Sequence, residues 1–352
     1  MTSEPAPLSE AANADPLEPP IDLAPALPGG WWPLPMSDTV VEYLSQHHWE
    51  QPGRPVSWEV ARLSKAVYLY RATATRWTVA AKFYAPKTGG SAGRHAEREL
   101  QCIEEARAVG LSAGRLRAVQ PLGVWRGVLF LEYVAGLTLV DVIAVRKKQP
   151  GMLFDSLVGV VELLARLHTG GSQLEVTPDF ESGMAEALKY VDQLETRGVL
   201  KGEPGKAASL RLLIGRLAEH PVMAQFAPAL THGDGDATTT NFIFPPDGGV
   251  VAIDWERLGV ADPAADLGRL MAEVSHSVGQ QEGGDAETTR LMQHLMRAYQ
   301  RAWSLKVGVD TLIERARFYQ ASSTLRIARN GWLSRVERSA LVVEAMDLLD
   351  AK

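Results

Sequence analysis

The segment NFIFPPDGGVVAID, from Asn241 to Asp254, constrains the fold more than any other stretch of the chain. Two short apolar runs flank Pro-Pro-Asp-Gly-Gly, a pattern that predicts a β-hairpin. The first residue of one hairpin strand lies beside the last residue of the other, so we expect Asn241 close to Asp254. Amide and carboxylate oxygens are ligands that Mg²⁺ favours, although either residue alone is also a common turn or loop cap.

Two aspartates precede this hairpin in the stretch LTHGDGDATTTN, which ends at Asn241. Gly-Asp occurs twice in succession there, at Gly233-Asp234 and Gly235-Asp236. A His-Gly-Asp turn followed closely by an asparagine is typical of a loop that transfers phosphate. One of these aspartates is therefore the candidate catalytic residue.

The composition predicts a globular protein of about two domains, because the 352 residues are 46% hydrophobic and 22% charged. A net charge of −6 argues against a nucleic-acid partner. The single cysteine excludes an internal disulfide framework, and the first residues lack the pattern of a secretory signal, so we expect a cytoplasmic location. The longest apolar stretch, residues 127–145, carries Glu132 and Asp141 and is not expected to span a membrane.

The chain is predicted to have an α+β fold that follows a tail. Residues 1–37 are rich in Pro and Ala without periodicity and are predicted to be a disordered tail, with Trp31-Trp32 docking it onto the body. In residues 38–135, VSWEVARLS, AVYLYRATA and RWTVAAKFYA predict three consecutive antiparallel strands, followed by a helix over 91–109 and a strand over 128–136. Residues 136–352 are predicted to be mostly helical.

Two segments carry a family resemblance. HGDGDATTTN followed by AIDWERLGVADPAADLG resembles the catalytic and metal-binding segments of the aminoglycoside phosphotransferase and choline kinase-like family, relatives of the protein kinases. The resemblance implies a two-lobed protein kinase-like fold, with 38–135 as nucleotide-binding lobe and 136–352 as catalytic and substrate-binding lobe. It also implies ATP and Mg²⁺ as cofactors, and transfer of the γ-phosphoryl group to a hydroxyl of a small molecule such as an aminoglycoside or amino alcohol.

The family spacing places the catalytic aspartate five positions before the metal-binding asparagine, which selects Asp236 for Asn241. Asp234 then stands where the family usually has histidine. Aligning the tripeptide His232-Gly233-Asp234 with the family instead selects Asp234 and leaves two surplus residues before Asn241. We favour Asp236 because the loop between base and metal is short. The resemblance also implies that Asn241 and Asp254 bind Mg²⁺.

Lys82 is the implied contact for the ATP phosphates, paired with a glutamate of the following helix. Glu99 is preferred because it lies on the inward stripe with Ala96 and Ile103, and Glu97 is the alternative.

Glu132, Tyr133 and Val134 resemble the family hinge, whose backbone would bind adenine, although Tyr133 is equally compatible with core packing. His168, at the end of LLARLH, and Asp266 resemble family positions at which we expect packing, capping or bracing of the catalytic loop.

Two other functions remain open from the sequence. The doubled Gly-Asp is compatible with a catalytically silent nucleotide-binding protein, although retention of Lys82, Asn241 and Asp254 argues against it. A two-metal phosphoesterase usually needs several histidines in local pairs. The chain has eight histidines, and their one adjacent pair, His47-His48, precedes the first predicted strand, which argues against this function. The sequence leaves the oligomeric state open.

Overall fold

The computed structural model describes Leu17 and residues 30–47, 57–85, 91–170, 180–201, 203–224, 229–232, 236–279, 284–302 and 309–350. Most of the predicted tail, residues 1–16 and 18–29, therefore lies outside the described residues. The strands are β1 (Trp32–Leu34), β2 (Trp58–Arg62), β3 (Val67–Ala72), β4 (Thr78–Phe83), β5 (Leu116–Ala118), β6 (Pro121–Trp125), β7 (Val128–Glu132), β8 (Leu137–Thr138), β9 (Ala229–Thr231), β10 (Phe242–Phe244), β11 (Val250–Ala252) and β12 (Gly259–Ala261). The helices are α1 (Thr39–His47), α2 (Ala92–Ala106), α3 (Leu139–Val145), α4 (Pro150–Gly170), α5 (Glu181–Thr196), α6 (Pro204–Ala218), α7 (Pro263–Gly279), α8 (Gly284–Ala302), α9 (Val309–Ala328) and α10 (Arg335–Asp350).

The chain divides into two compact units. One comprises Met1–Glu105 and Val119–Val134, and the other comprises Ala106–Ala118 and Ala135–Lys352. The sequence placed Ala106–Ala118 in the first lobe, whereas these residues group with the second unit because β5 pairs in parallel with β11. An antiparallel sheet in the first unit and a larger helical second unit confirm the predicted α+β class.

The first unit is built on a six-stranded sheet in the order β1-β2-β3-β4-β7-β6. The three consecutive antiparallel strands predicted from alternation are β2, β3 and β4. Trp58, Tyr70 and Phe130 are fully buried in the core of this unit, together with Leu44 of α1. Trp32, which the sequence placed in the tail, pairs with Val60 as part of edge strand β1.

The helix predicted over 91–109 ends earlier than expected. Helix α2 stops at Ala106, and a π-helical turn follows over Arg107–Leu111. Gly110 in that turn has φ = 103°, which a β-carbon would disfavour, and the helix is kinked there.

The second unit contains α3 to α10, a four-stranded sheet in the order β5-β11-β10-β8 and the pair β12-β9. Its main apolar core joins α5, α6, α9 and α10, with Val191, Leu210, Phe318 and Leu325 fully buried. Helices α3 to α10 agree with the prediction that residues 136–352 are mostly helical. Within the described part of the chain, no helix combines the length and apolar character needed to cross a bilayer.

Candidate active site

The predicted hairpin is confirmed and is extended by one residue beyond its strands. Strands β10 and β11 are antiparallel, with Phe242 opposite Ala252. The Ile253 amide donates to the Asn241 carbonyl oxygen at 2.9 Å. This hydrogen bond places Asn241 opposite Ile253. Ile253 directly precedes Asp254, so Asn241 lies near Asp254, as the sequence pattern predicted.

The hairpin turn depends on glycine. Gly249 has φ = 96°, and a β-carbon there would lie 2.1 Å from the Arg115 carbonyl oxygen. The same oxygen accepts a hydrogen bond from the Val250 amide at 2.6 Å. The turn is therefore held against β5 of the same unit, which orients the strand that leads to Asp254.

Asp236 and Asn241 are the two ends of a compact loop. The Asn241 side-chain nitrogen donates to the Asp236 carbonyl oxygen at 3.0 Å. The Thr238 amide donates to that carbonyl as well, at 2.6 Å, and the Asn241 amide donates to the Thr238 carbonyl at 3.1 Å. These hydrogen bonds close the loop, so the spacing between the two side chains is set by short contacts rather than by a flexible chain.

The Asp236 carboxylate is only partly accessible. One oxygen lies 3.4 Å from Nε of Arg257, and the Asp236 side chain is 23% exposed. Burial raises the pKa of Asp236, and the charge of Asp254 raises it further, whereas Arg257, His232 and Arg269 lower it. A partly desolvated carboxylate with a nearby cation can orient a hydroxyl and accept its proton.

Asp254 lies directly after the hairpin in an uncommon backbone conformation. Its φ of 60° is in the left-handed region, which aspartate tolerates better than most residues. The following Trp255 is fully buried, and its indole nitrogen donates to the Ala252 carbonyl oxygen at 3.0 Å. This anchor holds the turn that presents Asp254.

The alternative catalytic residue, Asp234, lies outside the described residues, as do Gly233 and Gly235. Among the described residues, Asp236 is the aspartate joined to Asn241 by hydrogen bonds. The choice between the two aspartates remains a prediction.

A buried polar network lies next to the start of the catalytic loop. The His232 amide donates to Oδ2 of Asp266 at 2.6 Å, and Nε2 of His168 lies 3.1 Å from the same oxygen. The other ring nitrogen of His168 lies 2.7 Å from the Tyr299 hydroxyl. Nε2 of His232 donates to the Ile253 carbonyl oxygen at 3.0 Å. The network thus joins α4, α7 and α8 to both the loop and the hairpin, and His168 packs and hydrogen-bonds as expected.

The sequence did not reveal the ion pair at the start of α7. Arg315 of α9 donates through Nε to Asp262 at 2.8 Å and through Nη2 at 3.2 Å, and both side chains are buried. Asp262 also accepts the Ala264 amide at 3.0 Å, as a residue that caps α7 does. Asp262 and Arg315 are 53 residues apart, so no local pattern could have predicted this pair.

In the first unit, Lys82 and Glu99 are brought together. Nζ of Lys82 donates to Oε2 of Glu99 at 2.6 Å, and the Glu99 side chain is only 1% exposed. Ala96 and Ile103 on the same face of α2 are fully buried, whereas Glu97 is half-buried. The lysine therefore sits on the central strand β4 with a carboxylate that orients its amine.

The residues proposed for adenine lie at the end of β7 and directly after it. The Glu132 amide already donates to the Gln120 carbonyl oxygen at 2.9 Å. Tyr133 is 41% exposed, so the core-packing alternative for its ring is wrong. Val134 is half-buried and is the last residue of the first unit.

The antiparallel sheet with one main helix, followed by a larger helical unit, is the protein kinase-like fold. Residues 62–307 match the phosphotransferase enzyme family, and the chain belongs to that family.

Solved structures with low sequence identity share this fold. A choline kinase from Streptococcus pneumoniae is 17% identical over 90% of this chain and 99% of its own, with a TM-score of 0.51. A putative fructosamine-3-kinase from Thermobifida fusca is 20% identical over 89% and 99%, with a TM-score of 0.54. The complex of APH(2")-IIa with streptomycin and ATP is 13% identical over 90% and 99%, with a TM-score of 0.53. No curated protein matches the chain.

Proposed function

We propose that this phosphotransferase moves the γ-phosphoryl group of ATP to a hydroxyl of a small molecule and requires Mg²⁺. The observation that carries the proposal is the closed loop from Asp236 to Asn241, continued by the hairpin that ends at Asp254. Family membership supports phosphoryl transfer as the reaction class.

Asn241 and Asp254 suit Mg²⁺ because they offer an amide oxygen and a carboxylate, both hard oxygen ligands. When bound, the ion would neutralise charge on the phosphates. Lys82, oriented by Glu99, would contact the phosphates as a second cation. The backbone of Tyr133 and Val134 would contact adenine, since the Glu132 amide is already used.

Asp236 would orient the acceptor hydroxyl and take its proton, with Asp234 as the alternative in this role. The hydrogen-bonded loop keeps Asp236 at a constant distance from Asn241. Most of the catalytic effect would come from positioning and electrostatics. Retention of Lys82, Asn241 and Asp254 counts against a catalytically silent protein.

The acceptor is proposed to be a small hydroxylated molecule rather than a protein or nucleic acid. Three of the similar structures are named for choline, fructosamine and streptomycin, all of which are small molecules. The net charge of −6 disfavours a nucleic acid. A cytoplasmic location, where ATP is supplied, is part of the same proposal.

Titration of ATP with and without Mg²⁺ tests the proposed metal site. We expect Mg²⁺ to tighten ATP binding at least about tenfold in the wild type and to have little effect in Asp254→Ala. Asp247→Ala is the matched control, because Asp247 is an exposed aspartate in the turn of the same hairpin. Equal affinities for all three proteins in both conditions would contradict the proposal.

A further inference from the structure

Helices α6 and α10 of the second unit lie side by side and run in the same direction. Near their starts, Nη2 of Arg335 donates to the Lys201 carbonyl oxygen at 3.0 Å. At their ends, the Arg216 guanidinium pairs with the Asp350 carboxylate at 2.5 Å. Both contacts join residues that are 134 positions apart in the sequence. The two helices are therefore in register along their whole length.

Helix α10 carries a line of exposed residues that begins apolar and ends acidic. Val336, Ala340 and Val343 are exposed, and Asp347 and Asp350 follow them at the same spacing of three or four residues. Residues with this spacing share one side of a helix. Val336 is 80% exposed, so the apolar part of the line faces away from the core of its own unit.

Helix α6 carries a matching line. Ala208, Leu212 and Arg216 are exposed at intervals of four residues, and Leu212 is 72% exposed. Because Arg216 of this line pairs with Asp350 of the other, both lines lie on the same side of the two helices. Together they form one surface with an apolar centre, here called the α6–α10 face, rather than scattered apolar residues.

The size of the α6–α10 face suits a weak but specific protein contact. Two adjacent helices of 15 and 16 residues present a surface about 24 Å long and about 20 Å wide. Covering it would bury about 1,000 Å² in total, which is at the lower limit for a specific interface. Trp332, four residues before Val336, is 71% exposed and adds an aromatic side chain, a type enriched at interfaces.

The exposed charges of the face differ between its two ends. Lys201 and Arg335 are exposed at the start of the helices, whereas Glu219 and Asp347 are exposed at the end. Within the described part of the chain, none of these four side chains takes part in an ion pair. The face therefore has a basic end and an acidic end that both lack a partner of opposite charge.

Glu337 does not reverse this pattern, although it is exposed near the basic end. Its carboxylate accepts the Ser334 amide at 2.7 Å, as part of the cap of α10. Two positions along a helix correspond to about 200° of rotation. Glu337 therefore lies on the flank of α10 opposite to Arg335, which contacts the segment before α6.

We propose that the α6–α10 face binds a second copy of this chain around a twofold axis perpendicular to the two helices. Each helix then lies antiparallel to its own counterpart, as the self-complementary contact of a symmetric dimer requires. Arg335 lies opposite Asp347 of the second copy, and Lys201 lies opposite Glu219 of the second copy. A parallel arrangement would instead bring like charges together.

One axis satisfies both charge pairs. The midpoint between Arg335 and Asp347 falls next to Ala340, at the centre of the exposed line of α10. The midpoint between Lys201 and Glu219 falls within one turn of Leu212 on α6. The axis thus passes through the apolar centre of the face, where the small side chain of Ala340 lets the two copies of α10 approach closely.

Sedimentation velocity of the full chain, from roughly 1 to 200 µM, tests the proposal. We expect a monomer–dimer equilibrium with a Kd on the order of micromolar, weakened by added salt. Val343→Asp and Leu212→Asp, one on each helix, should each raise Kd at least about tenfold, because each buries a charge in the apolar centre. Leu63→Asp is the matched control, since Leu63 is 62% exposed in the first unit.

A charge exchange tests the antiparallel arrangement. Arg335→Glu and Asp347→Arg should each raise Kd at least about fivefold, because like charges then face each other. The double variant Arg335→Glu/Asp347→Arg should recover the wild-type Kd. Residues 335 and 347 are about 18 Å apart along one helix, so recovery requires a contact between copies.

Three results would overturn the inference, with thermal unfolding used to establish that each variant is folded. The first is a wild type that stays monomeric over the whole concentration range, which would leave the face to a different partner. The second is a dimer that Val343→Asp and Leu212→Asp leave unchanged, which would place the contact on another surface. The third is a double charge variant that dimerises no better than the single variants.

Discussion

Asp236 owes its position to backbone hydrogen bonds rather than to its own side chain. Its carbonyl oxygen accepts from both Thr238 and Asn241, while its carboxylate faces Arg257. The base and the metal-binding amide therefore move as one loop. A substitution that keeps the shape of residue 236 can remove the proton acceptor without opening that loop.

Asp236→Asn should lower the rate of phosphoryl transfer by at least about 10², the usual loss for a general base. ATP affinity should persist, because the base contacts the acceptor rather than the nucleotide. Single-turnover kinetics and ATP titration measure the two quantities separately.

Asp234→Asn is the matched comparison, and it should cost much less activity. If Asp234 supports the metal, additional Mg²⁺ should recover part of the loss. The opposite ranking, with Asp234→Asn inactive at every Mg²⁺ concentration and Asp236→Asn near normal, would show that His232-Gly233-Asp234 sets the register of the loop.

Among the elements, α7 contributes several polar contacts of the second unit. Asp262 caps this helix, Asp266 accepts a hydrogen bond from the His232 amide, and Arg269 lines a cavity between α5, α7 and α9. Because Gly268 has no side chain, α9 packs closely against α7 at this point. Helix α9 carries Arg315, which pairs with Asp262, and the serines Ser322 and Ser323. The helix thus positions the catalytic loop and the cavity together, so changes to its stability should affect both.

His276, near the end of α7, should make stability depend on pH. Burial lowers its pKa below the ordinary 6.5, although Glu337 of α10 acts in the opposite direction. As the pH falls below about 6.5, the unfolded chain takes up the proton first, so the free energy of unfolding should decline until the pH reaches the lower folded-state pKa.

Thermal unfolding of the wild type and His276→Gln between pH 7 and pH 5 measures this contribution as a difference in slope. Glu337→Gln should steepen the decline, because Glu337 raises the pKa of His276. Parallel profiles for the wild type and His276→Gln would show that His276 does not couple to folding.

At the scale of the whole molecule, the two compact units carry different parts of the proposed machinery. Lys82 and Glu99 lie in the first unit, whereas Asp236, Asn241 and Asp254 lie in the second. Each set is held by contacts inside its own unit. We therefore expect variants of the two units to affect different kinetic constants.

Lys82→Met should lower kcat/KM for ATP by about 10², because it removes a cation from the phosphates. KM for the acceptor should change little. Arg71→Met is the matched control, since Arg71 of β3 forms a partly buried ion pair with Glu59 in the same sheet. Steady-state kinetics with both substrates varied would contradict the assignment if Lys82→Met altered only KM for the acceptor, or if Arg71→Met lost as much activity.

The sequence by itself determined the features that depend on local pattern. Alternation predicted β2 to β4, and the turn residues predicted the hairpin that brings Asn241 towards Asp254. The inward stripe of α2 also selected Glu99 rather than Glu97 as the partner of Lys82. These predictions succeed because strand alternation, turn chemistry and helical periodicity are encoded within a few residues.

Only the tertiary structure decided the contacts between distant segments. Trp32 was predicted to belong to a tail but pairs with Val60. Tyr299 contacts His168, which is 131 residues away in the sequence. Ser322 and Ser323 read as ordinary helical residues, yet the close approach of α7 and α9 at Gly268 leaves them beside a cavity. Such contacts depend on how complete elements pack, because the burial that selects them is shared among residues that no local window contains.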